Sequence, residues 1–157
     1  MTKNITQNLN INTNWIHLNN FQKNIDLSFF NHNKYKNDLQ SLDKKMSDIL
    51  CDDSWMGNCA KYQLNSGGKR FRAILALLAS KIFGLSKQVS HDIAICCEFI
   101  HNASLIHDDL QDRDLLRRGL PTIWNRFGDH TAINLGDLFI SASFEIISKI
   151  KTRPDLK

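Results

Sequence analysis

The chain contains few of the residues that break regular secondary structure. Its 157 residues include only two prolines and seven glycines, which favours long uninterrupted helices over a β architecture with many turns. Hydrophobic residues at 42% and charged residues at 23% are ordinary for a globular domain and exclude wholesale disorder or a collagen-like repeat. A chain of this length is expected to bury one core. We therefore predict an all-α fold.

Two further absences concern location and redox state. The sequence has no apolar stretch long enough to cross a bilayer and no signal-peptide core at its start, so we expect a cytoplasmic protein without a transmembrane segment. The four cysteines lack both CxxC spacing and the density of a disulfide scaffold, and we interpret them as reduced core thiols. The net charge of +4 is mild, and we expect no nucleic-acid partner.

An asparagine-rich segment precedes the helical part of the chain. Asparagine occupies eleven of the first forty positions, and the apolar residues there follow no clean period, so we interpret residues 1–34 as a polar leader. Residues 35–157 form the expected domain, because apolar residues there recur at three- and four-residue steps. Helices are predicted at these positions: Tyr35 to Ile49, Trp55 to Leu64, Phe71 to Gly84, His91 to Asp112, and Thr131 to Ile150.

Two of these helices carry more specific expectations. The run from Phe71 to Gly84 is apolar on nearly every face, which predicts burial on nearly every face. Ser90 is a good N-cap for the long helix that ends at Asp112, which would be roughly 33 Å long. The segment between that helix and the last one, residues 113–126, is predicted to be a loop or a broken helix.

The long helix carries an acidic stripe near its end. At about 100° per residue, His101, Asp108 and Asp112 fall within about 40° of one another, and Asp109 lies beside them. Two carboxylates at positions i and i+4 of a helix disfavour each other's ionisation unless nearby cations neutralise them. Such oxygen ligands suit Mg²⁺, which takes one or two protein carboxylates and completes its shell with water and phosphate oxygens. On the acids alone, a solvated acidic helix end is an equally good interpretation.

Basic residues flank the acidic helix on both sides in sequence. Lys69, Arg70 and Arg72 follow a Gly-Gly turn, and Arg117 and Arg118 precede another glycine. Arginine offers a planar fork that matches phosphate oxygens, and lysine offers a point charge. Each cluster alone is explained by surface solvation, whereas both clusters together with the acidic stripe indicate a phosphate or diphosphate ligand.

Four segments contain these features, in this order: GGKRFR at 67–72, EFIHNASLIHDDLQDRD at 98–114, RRGLPT at 117–122, and FGDHTAINLGD at 127–137. In order and spacing they resemble the motifs of the trans-isoprenyl diphosphate synthases, also called polyprenyl synthetases. The resemblance covers roughly residues 39–150. It implies a helical bundle with a partial isoprenoid synthase (terpenoid synthase) fold, corresponding to the N-terminal half of the family's domain.

The resemblance also implies roles for individual residues. Asp108 and Asp112, with Asp109 in support, match the first aspartate-rich motif, whose carboxylates hold Mg²⁺ against an allylic diphosphate. The implied diphosphate contacts are Lys69, Arg72, His101 and Arg118 for isopentenyl diphosphate, and Arg117 for the allylic diphosphate. The implied reaction is that of a prenyltransferase in isoprenoid biosynthesis: the allylic diphosphate ionises, the isopentenyl double bond attacks the carbocation, and a proton is lost.

Product length is a further expectation from the resemblance. The face of the long helix that precedes the acidic motif bounds the product tunnel in this family. Ala103 is small and would leave that tunnel open, while Phe99, one turn deeper, would form its floor. The hypothesis is a product longer than the farnesyl class.

The sequence departs from the family pattern in two ways. After Asp137 the only acidic residues are Glu145 and Asp155, so no second aspartate-rich motif is present. We therefore expect a truncated synthase whose partner is a complementing C-terminal half or, as is usual in this family, a second copy. Ala73 stands where the family commonly has proline.

Two alternatives remain open at this point. The first is a noncatalytic helical subunit or fragment that retains a diphosphate and magnesium site. The second is an HD-type metal phosphohydrolase, in which His107 and Asp108 would act with His91 or His101 and with Asp137. That family does not require the trailing DDLQD and RRG segments, and His107 sits about 100° from Asp108 around the helix.

Overall fold

The computed structural model of the chain describes residues 32–150, and its side chains from residue 34 onward. The chain divides into two units, Met1–Lys34 and Tyr35–Lys157. Nearly all of the first unit, and with it the predicted leader at 1–34, lies outside the described residues. The fold below is that of the second unit.

The second unit is built from helices and one short hairpin. After a 3₁₀ turn at His32–Tyr35, the elements are α1 (Lys36–Leu50), α2 (Trp55–Asn65), α3 (Phe71–Ile82), α4 (Lys87–Gln111), β1 (Leu116–Arg117), β2 (Leu120–Pro121), α5 (Ile123–Phe127) and α6 (Asp129–Ser148). The two strands pair antiparallel, with Leu116 opposite Pro121. Because this hairpin is the only sheet within residues 32–150, the all-α prediction is confirmed.

The core lies around α4, which packs most extensively against α6 and next against α3. Phe99 of α4 meets Phe139 of α6 edge to face, with ring centroids 5.3 Å apart. Helices α1 and α2 add fully buried side chains, among them Leu42, Met46 and Cys59. Each large apolar side chain buried in this way contributes about 1.5–3 kcal/mol, which is what holds α4 as the scaffold of the fold.

Helix α4 begins one turn earlier than predicted. Ser86 is its N-cap, and the Ser86 hydroxyl accepts the N–H of Val89 at 3.3 Å. Ser90, the predicted cap, lies inside the helix and donates its hydroxyl to the Ser86 carbonyl. Both serines have the chemistry of a cap, and the earlier one is used because nothing in residues 87–89 interrupts the helix. The end is close to the prediction, with Asp112 as the C-cap.

The predicted burial of α3 on nearly every face is wrong. Its buried side is formed by Ala73, Ile74, Leu77 and Ser80, while Phe71, Leu75 and Ile82 are exposed. Helix α6 likewise exposes Ile133, Phe144 and Ile147. The apolar composition of a helix indicates which of its faces can be buried, but burial also requires a neighbouring element that covers the face. Leu75 and Ile82 on α3 and the three side chains on α6 keep more than 40% of their surface exposed within residues 34–150.

Smaller differences concern single elements. On α1 the buried stripe ends at Leu50, whereas Ile49 is 44% exposed. The predicted loop at 113–126 contains the hairpin and most of α5. All four cysteines are free thiols, but only Cys59 is buried, whereas Cys51 and Cys96 are half-buried and Cys97 is exposed, so the core interpretation holds fully for Cys59 alone.

None of the helices in the described part of the chain combines the length and apolar character that crossing a membrane requires.

Candidate active site

The Gly-Gly turn before α3 creates room for a cation. Gly67 and Gly68 have positive φ values of 89° and 147°, a backbone region that favours glycine. A Cβ on Gly68 would lie 3.0 Å from the Arg118 guanidinium, whereas a Cβ on Gly67 would meet nothing within 4 Å. The second glycine therefore allows Arg118 to pack against the turn.

A cavity of about 610 Å³ opens beside this turn. Its lining comes from the turn itself, the first turn of α3, the middle of α4 and the hairpin. Four residues that the sequence assigns to one diphosphate line this cavity together: Lys69, Arg72, His101 and Arg118. The positive dipole end of α3 also favours an anion here. The arrangement is suited to a phosphate or diphosphate group.

Arg72 and His101 meet across the cavity. The Nη1 atom of Arg72 lies 3.0 Å from Nε2 of His101. Because arginine can only donate, Nε2 must accept, which makes His101 neutral with its proton on Nδ1. Burial lowers the pKa of His101, and the positive charges of Arg72 and Arg118 lower it further. A bound anion would oppose that effect, so His101 is able to take up a proton with the ligand.

Arg70 lines the same cavity but is held by the protein. Its Nε donates to Asp43 at 2.8 Å, and its Nη2 donates to the carbonyl of Leu64 at 3.0 Å. Its Nη1 lies 3.7 Å from Glu98. These contacts tie α1, α2 and α4 to the start of α3, so the role of Arg70 is structural.

The three aspartates near the end of α4 have different surroundings. Asp108 and Asp112 are exposed, and neither side chain makes a hydrogen bond or ion pair within residues 34–150. Asp109 is buried and accepts two hydrogen bonds from Nε of Arg117, at 2.8 and 2.9 Å, and one from Nη2 at 2.5 Å. The hydrogen bond to Asp109 raises the pKa of Arg117. Asp109 therefore orients Arg117 toward the acidic end of α4.

The donor set at this end fits Mg²⁺ that is shared with a ligand. Within residues 34–150, no three His, Cys, Asp or Glu side chains are arranged to hold a metal ion by themselves. Mg²⁺ does not require such a cage, since it keeps several waters and binds through one or two carboxylates plus phosphate oxygens. Asp108 and Asp112, one turn apart and exposed, are able to supply those carboxylates.

The ligand set of the alternative HD-type hydrolase is not brought together. His107 faces α6, with Nε2 3.4 Å from the carbonyl of Ile133 and 3.9 Å from Asp137. His91 is buried and lies 3.3 Å from Asp38 on α1. His101 is occupied by Arg72, as described above. The His107 ring also packs so closely on Gly136 that any Cβ there would collide with it.

The predicted tunnel residues face the core. Ala103 is 2% exposed and Phe99 is fully buried against α6. Their positions, five and nine residues before Asp108, turn them about 140° and 180° away from its face. The product-length hypothesis therefore stays a prediction. An open groove on the side of Asp108 is lined instead by residues of α3 and α4 that include Leu75, Cys97, Ile100 and Ser104.

Sequence reasoning missed the buried polar residues at the wall of the cavity, Glu98 and Asn102. The Glu98 carboxylate accepts the N–H of Ala73, and Gln63 donates to Asn102. Ala73 supplies a donor that proline would lack. The signal that was available is the position of Glu98, three residues before His101 on the same face of α4.

Comparison with known proteins decides the family. The profile described as "Polyprenyl synthetase" matches residues 53–157. The chain belongs to this family. It is 34% identical over 122 residues to a geranylgeranyl pyrophosphate synthase of Geoglobus acetivorans, covering 76% of this chain and 38% of that protein. It is 39% identical over 95 residues to a geranylgeranyl diphosphate synthase of Methanosarcina mazei, covering 60% of this chain and 29% of that protein.

Solved structures agree with the sequence matches. The heptaprenyl diphosphate synthase of Staphylococcus aureus superposes with a TM-score of 0.69 at 29% identity, over 75% of this chain and 38% of that one. An isoprenoid synthase family member from Thermotoga neapolitana gives 0.68 at 27% identity, over 72% and 46%. The predicted partial isoprenoid synthase fold is confirmed. The chain spans less than half the length of these proteins.

Proposed function

We propose that this polyprenyl synthetase chain supplies part of a trans-prenyltransferase site that joins isopentenyl diphosphate to an allylic diphosphate. The observation that carries the proposal is the cavity in which Lys69, Arg72, His101 and Arg118 converge. Helix α4, which contributes His101 to this cavity, carries Asp108 in its last turn and is capped by Asp112. A polyanion pocket and a metal-binding acidic pair on one rigid helix are what two diphosphate substrates require.

The two ends of the site have separate tasks in this proposal. The basic cavity binds isopentenyl diphosphate. Lys69 and Arg118 are available for this ligand because their side chains form no ion pair within residues 34–150. Asp108 and Asp112 hold Mg²⁺ against the allylic diphosphate, and Arg117, oriented by Asp109, contacts that same diphosphate. Mg²⁺ supplies charge neutralisation for the departing diphosphate.

The residues between the two ends serve the reaction by their apolar character. Ile100 and Leu75 face the open groove that runs from Arg72 along α3 and α4. Once the rest of a complete site covers this groove, its apolar wall keeps water from an allylic carbocation, which water would quench. Prearranged cations at the departing diphosphate act mainly on the transition state, because the leaving group gains charge as the bond breaks.

Partners are the second part of the proposal. Large apolar side chains are exposed on faces of α3 and α6, among them Ile82, Phe144 and Ile147, and exposed apolar surface of this kind indicates an interaction. We propose that helices equivalent to the remainder of the relatives' domain, or a second copy of this chain, cover these faces. The location that we propose is the cytoplasm.

The test is incorporation of radiolabelled isopentenyl diphosphate with dimethylallyl, geranyl or farnesyl diphosphate and Mg²⁺. Asp108→Ala combined with Asp112→Ala is expected to abolish incorporation, and Asp53→Ala, an exposed carboxylate on the loop before α2, is the matched control. Incorporation that survives the double substitution would refute the assignment of the acidic pair.

A noncatalytic subunit is the second candidate, because the chain spans only 29–38% of the two curated relatives described above. The discriminating measurement is calorimetric binding of pyrophosphate with and without Mg²⁺. Mg²⁺-dependent binding without turnover by folded protein would favour the subunit. Absence of both binding and turnover would refute the diphosphate site itself.

A further inference from the structure

Glu98 is a charged side chain in the interior of the fold. It lies on α4, one turn before His101, and only 3% of its surface is exposed. Its carboxylate accepts the main-chain N–H of Ala73 at 3.0 Å and lies 3.7 Å from the Arg70 guanidinium. A buried carboxylate is tolerated only when it is paired and hydrogen-bonded, and these two contacts provide both conditions.

Helix α3 begins without a cap of its own. Arg70 occupies the N-cap position at φ 48°, its side chain accepts no helix N–H, and the first turn contains no acidic residue. The first four N–H groups of a helix have no partner inside it, and the N–H of Ala73 is one of them. Glu98 therefore caps α3 from a neighbouring helix, where its negative charge also complements the helix dipole.

The cap and the contact across the cavity join the same two turns. Arg72 directly precedes Ala73, and His101 follows Glu98 by three residues, about 4.5 Å along α4. The distance of 3.0 Å between Arg72 and His101 thus depends on how the first turn of α3 sits on α4. A shift of that turn would change the cap distance and the Arg72–His101 distance together.

A network beside Glu98, on the same face of α4, ties this helix to α2. Asn102 donates its side-chain amide to the Glu98 carbonyl at 2.8 Å and accepts from Gln63 of α2 at 3.2 Å. Arg70 donates to the Leu64 carbonyl at the end of α2. Three helices are therefore tied together around Glu98, and the first turn of α3 is the part of this junction that carries Arg72 into the cavity.

We propose that Glu98 is a positioning residue for the basic cavity: by capping α3 from α4 it sets the separation of Arg72 and His101. The proposal rests on the proposed function, because it takes the cavity to bind a diphosphate. Glu98 touches no substrate in this role and acts through Arg72.

Two variants of equal charge and similar volume isolate the cap. Glu98→Gln removes the charge but keeps an oxygen that accepts the N–H of Ala73. Glu98→Met removes both the charge and the acceptor. Any difference between the two variants therefore reports the hydrogen bond rather than the charge. Asp92→Asn, a half-buried carboxylate on the same helix outside the cavity, is the control for loss of an acid from α4.

The first readout is the pKa of His101, measured by NMR titration of the ligand-free full chain, with a His101→Asn spectrum to identify the resonance. Burial and then nearby cations lower this pKa, the cations being Arg72, Arg118, Arg117 and Arg70. Loss of the Glu98 charge alone lowers it further, whereas release of Arg72 raises it. We expect a higher pKa of His101 in Glu98→Met than in Glu98→Gln.

The second readout is the affinity for inorganic pyrophosphate. We expect Glu98→Met to bind roughly fivefold more weakly than Glu98→Gln, about the effect of one hydrogen bond. Equal pKa values of His101 and equal affinities in the two variants would overturn the proposal. Failure of the unmodified chain to bind pyrophosphate would instead overturn the proposed function, and the pKa comparison would still test the positioning role.

A shorter side chain covers the case in which Glu98→Met does not fold. Glu98→Asp keeps the charge, and its shorter side chain draws the carboxylate away from Ala73. We expect the pKa of His101 to rise in this variant and pyrophosphate binding to weaken. An unchanged pKa and an unchanged affinity would overturn the proposal.

Discussion

The three aspartates of the acidic motif are expected to affect stability in opposite directions. Asp109 is buried against Arg117, with 4% of its side chain exposed, and accepts three hydrogen bonds. Asp108 and Asp112 are exposed and lack such partners. Asp109→Ala should therefore destabilise the fold, whereas Asp108→Ala and Asp112→Ala should not.

The magnitude follows from the burial of the two partners. Removing one member of a fully buried ion pair costs about 3–5 kcal/mol, because the other charge is left without compensation. The Arg117 side chain is 29% exposed, so water can hydrate it once Asp109 is gone. We expect Asp109→Ala to lower the free energy of unfolding by about 2 kcal/mol. Asp109→Asn, which keeps the shape and one acceptor, should cost about half of that.

The exposed aspartates give the opposite sign. Asp108 and Asp112 are like charges at i and i+4, and both lie near the negative end of the α4 dipole. Removing either one should change the free energy of unfolding by less than about 0.5 kcal/mol, toward greater stability.

Urea denaturation followed by far-UV circular dichroism measures all four variants under the same conditions. Binding of pyrophosphate with Mg²⁺ should rank the variants differently, since Asp108→Ala and Asp112→Ala remove the proposed metal ligands. A loss of stability in Asp108→Ala or Asp112→Ala as large as that in Asp109→Ala would refute the reasoning.

Three further predictions concern the surroundings of the site. Gly68→Ala should weaken pyrophosphate binding measured by calorimetry more than Gly67→Ala, because only the first places a Cβ against Arg118; equal losses would contradict this. Gly136→Ala should lower the free energy of unfolding by about 1–3 kcal/mol in urea, because its Cβ collides with the histidine ring packed there; a neutral result would exclude that close packing. Folding lowers the pKa of His101, so the contribution of this residue to stability is full above the ordinary histidine pKa and is lost as pH falls through the folded value. The free energy of unfolding, measured with urea across that pH range, should fall less steeply with decreasing pH in His101→Gln than in the unmodified chain. An unchanged slope would contradict the lowered pKa.

Helical periodicity predicted most of the fold, and its errors have local causes. The long helix was placed correctly at its end but one turn late at its start, because Ser86 and Ser90 are both competent caps. The first predicted helix ends at Ile49, whereas α1 continues to Leu50, which is buried while Ile49 is exposed. Which face of α3 is covered depends on its neighbours, and residue composition does not contain that information.

The residues of the candidate site fall into two groups: those related within one helix, and those whose contacts join separate helices. The common face of His101, Asp108 and Asp112 follows from helix geometry, because all three lie on α4 or at its end. Ala103 lies about 140° around α4 from Asp108 and is buried in the core, and its effect on product length stays a prediction. Glu98 was missed because its partner, the N–H of Ala73, belongs to another helix and has no sequence pattern.

The hairpin explains how neighbouring arginines come to serve different ends of the site. Arg118 and Gly119 form the two-residue loop with φ values of 55° and 79°, the positive values of a tight I′ turn. The reversal sends Arg117 toward Asp109 and leaves the Arg118 guanidinium against Gly68. Along α4, seven residues separate His101 from Asp108, about 10 Å. One rigid helix and one tight turn thus hold the cationic cavity and the acidic end at a fixed spacing, which the proposed function requires for the positioning of two diphosphate substrates.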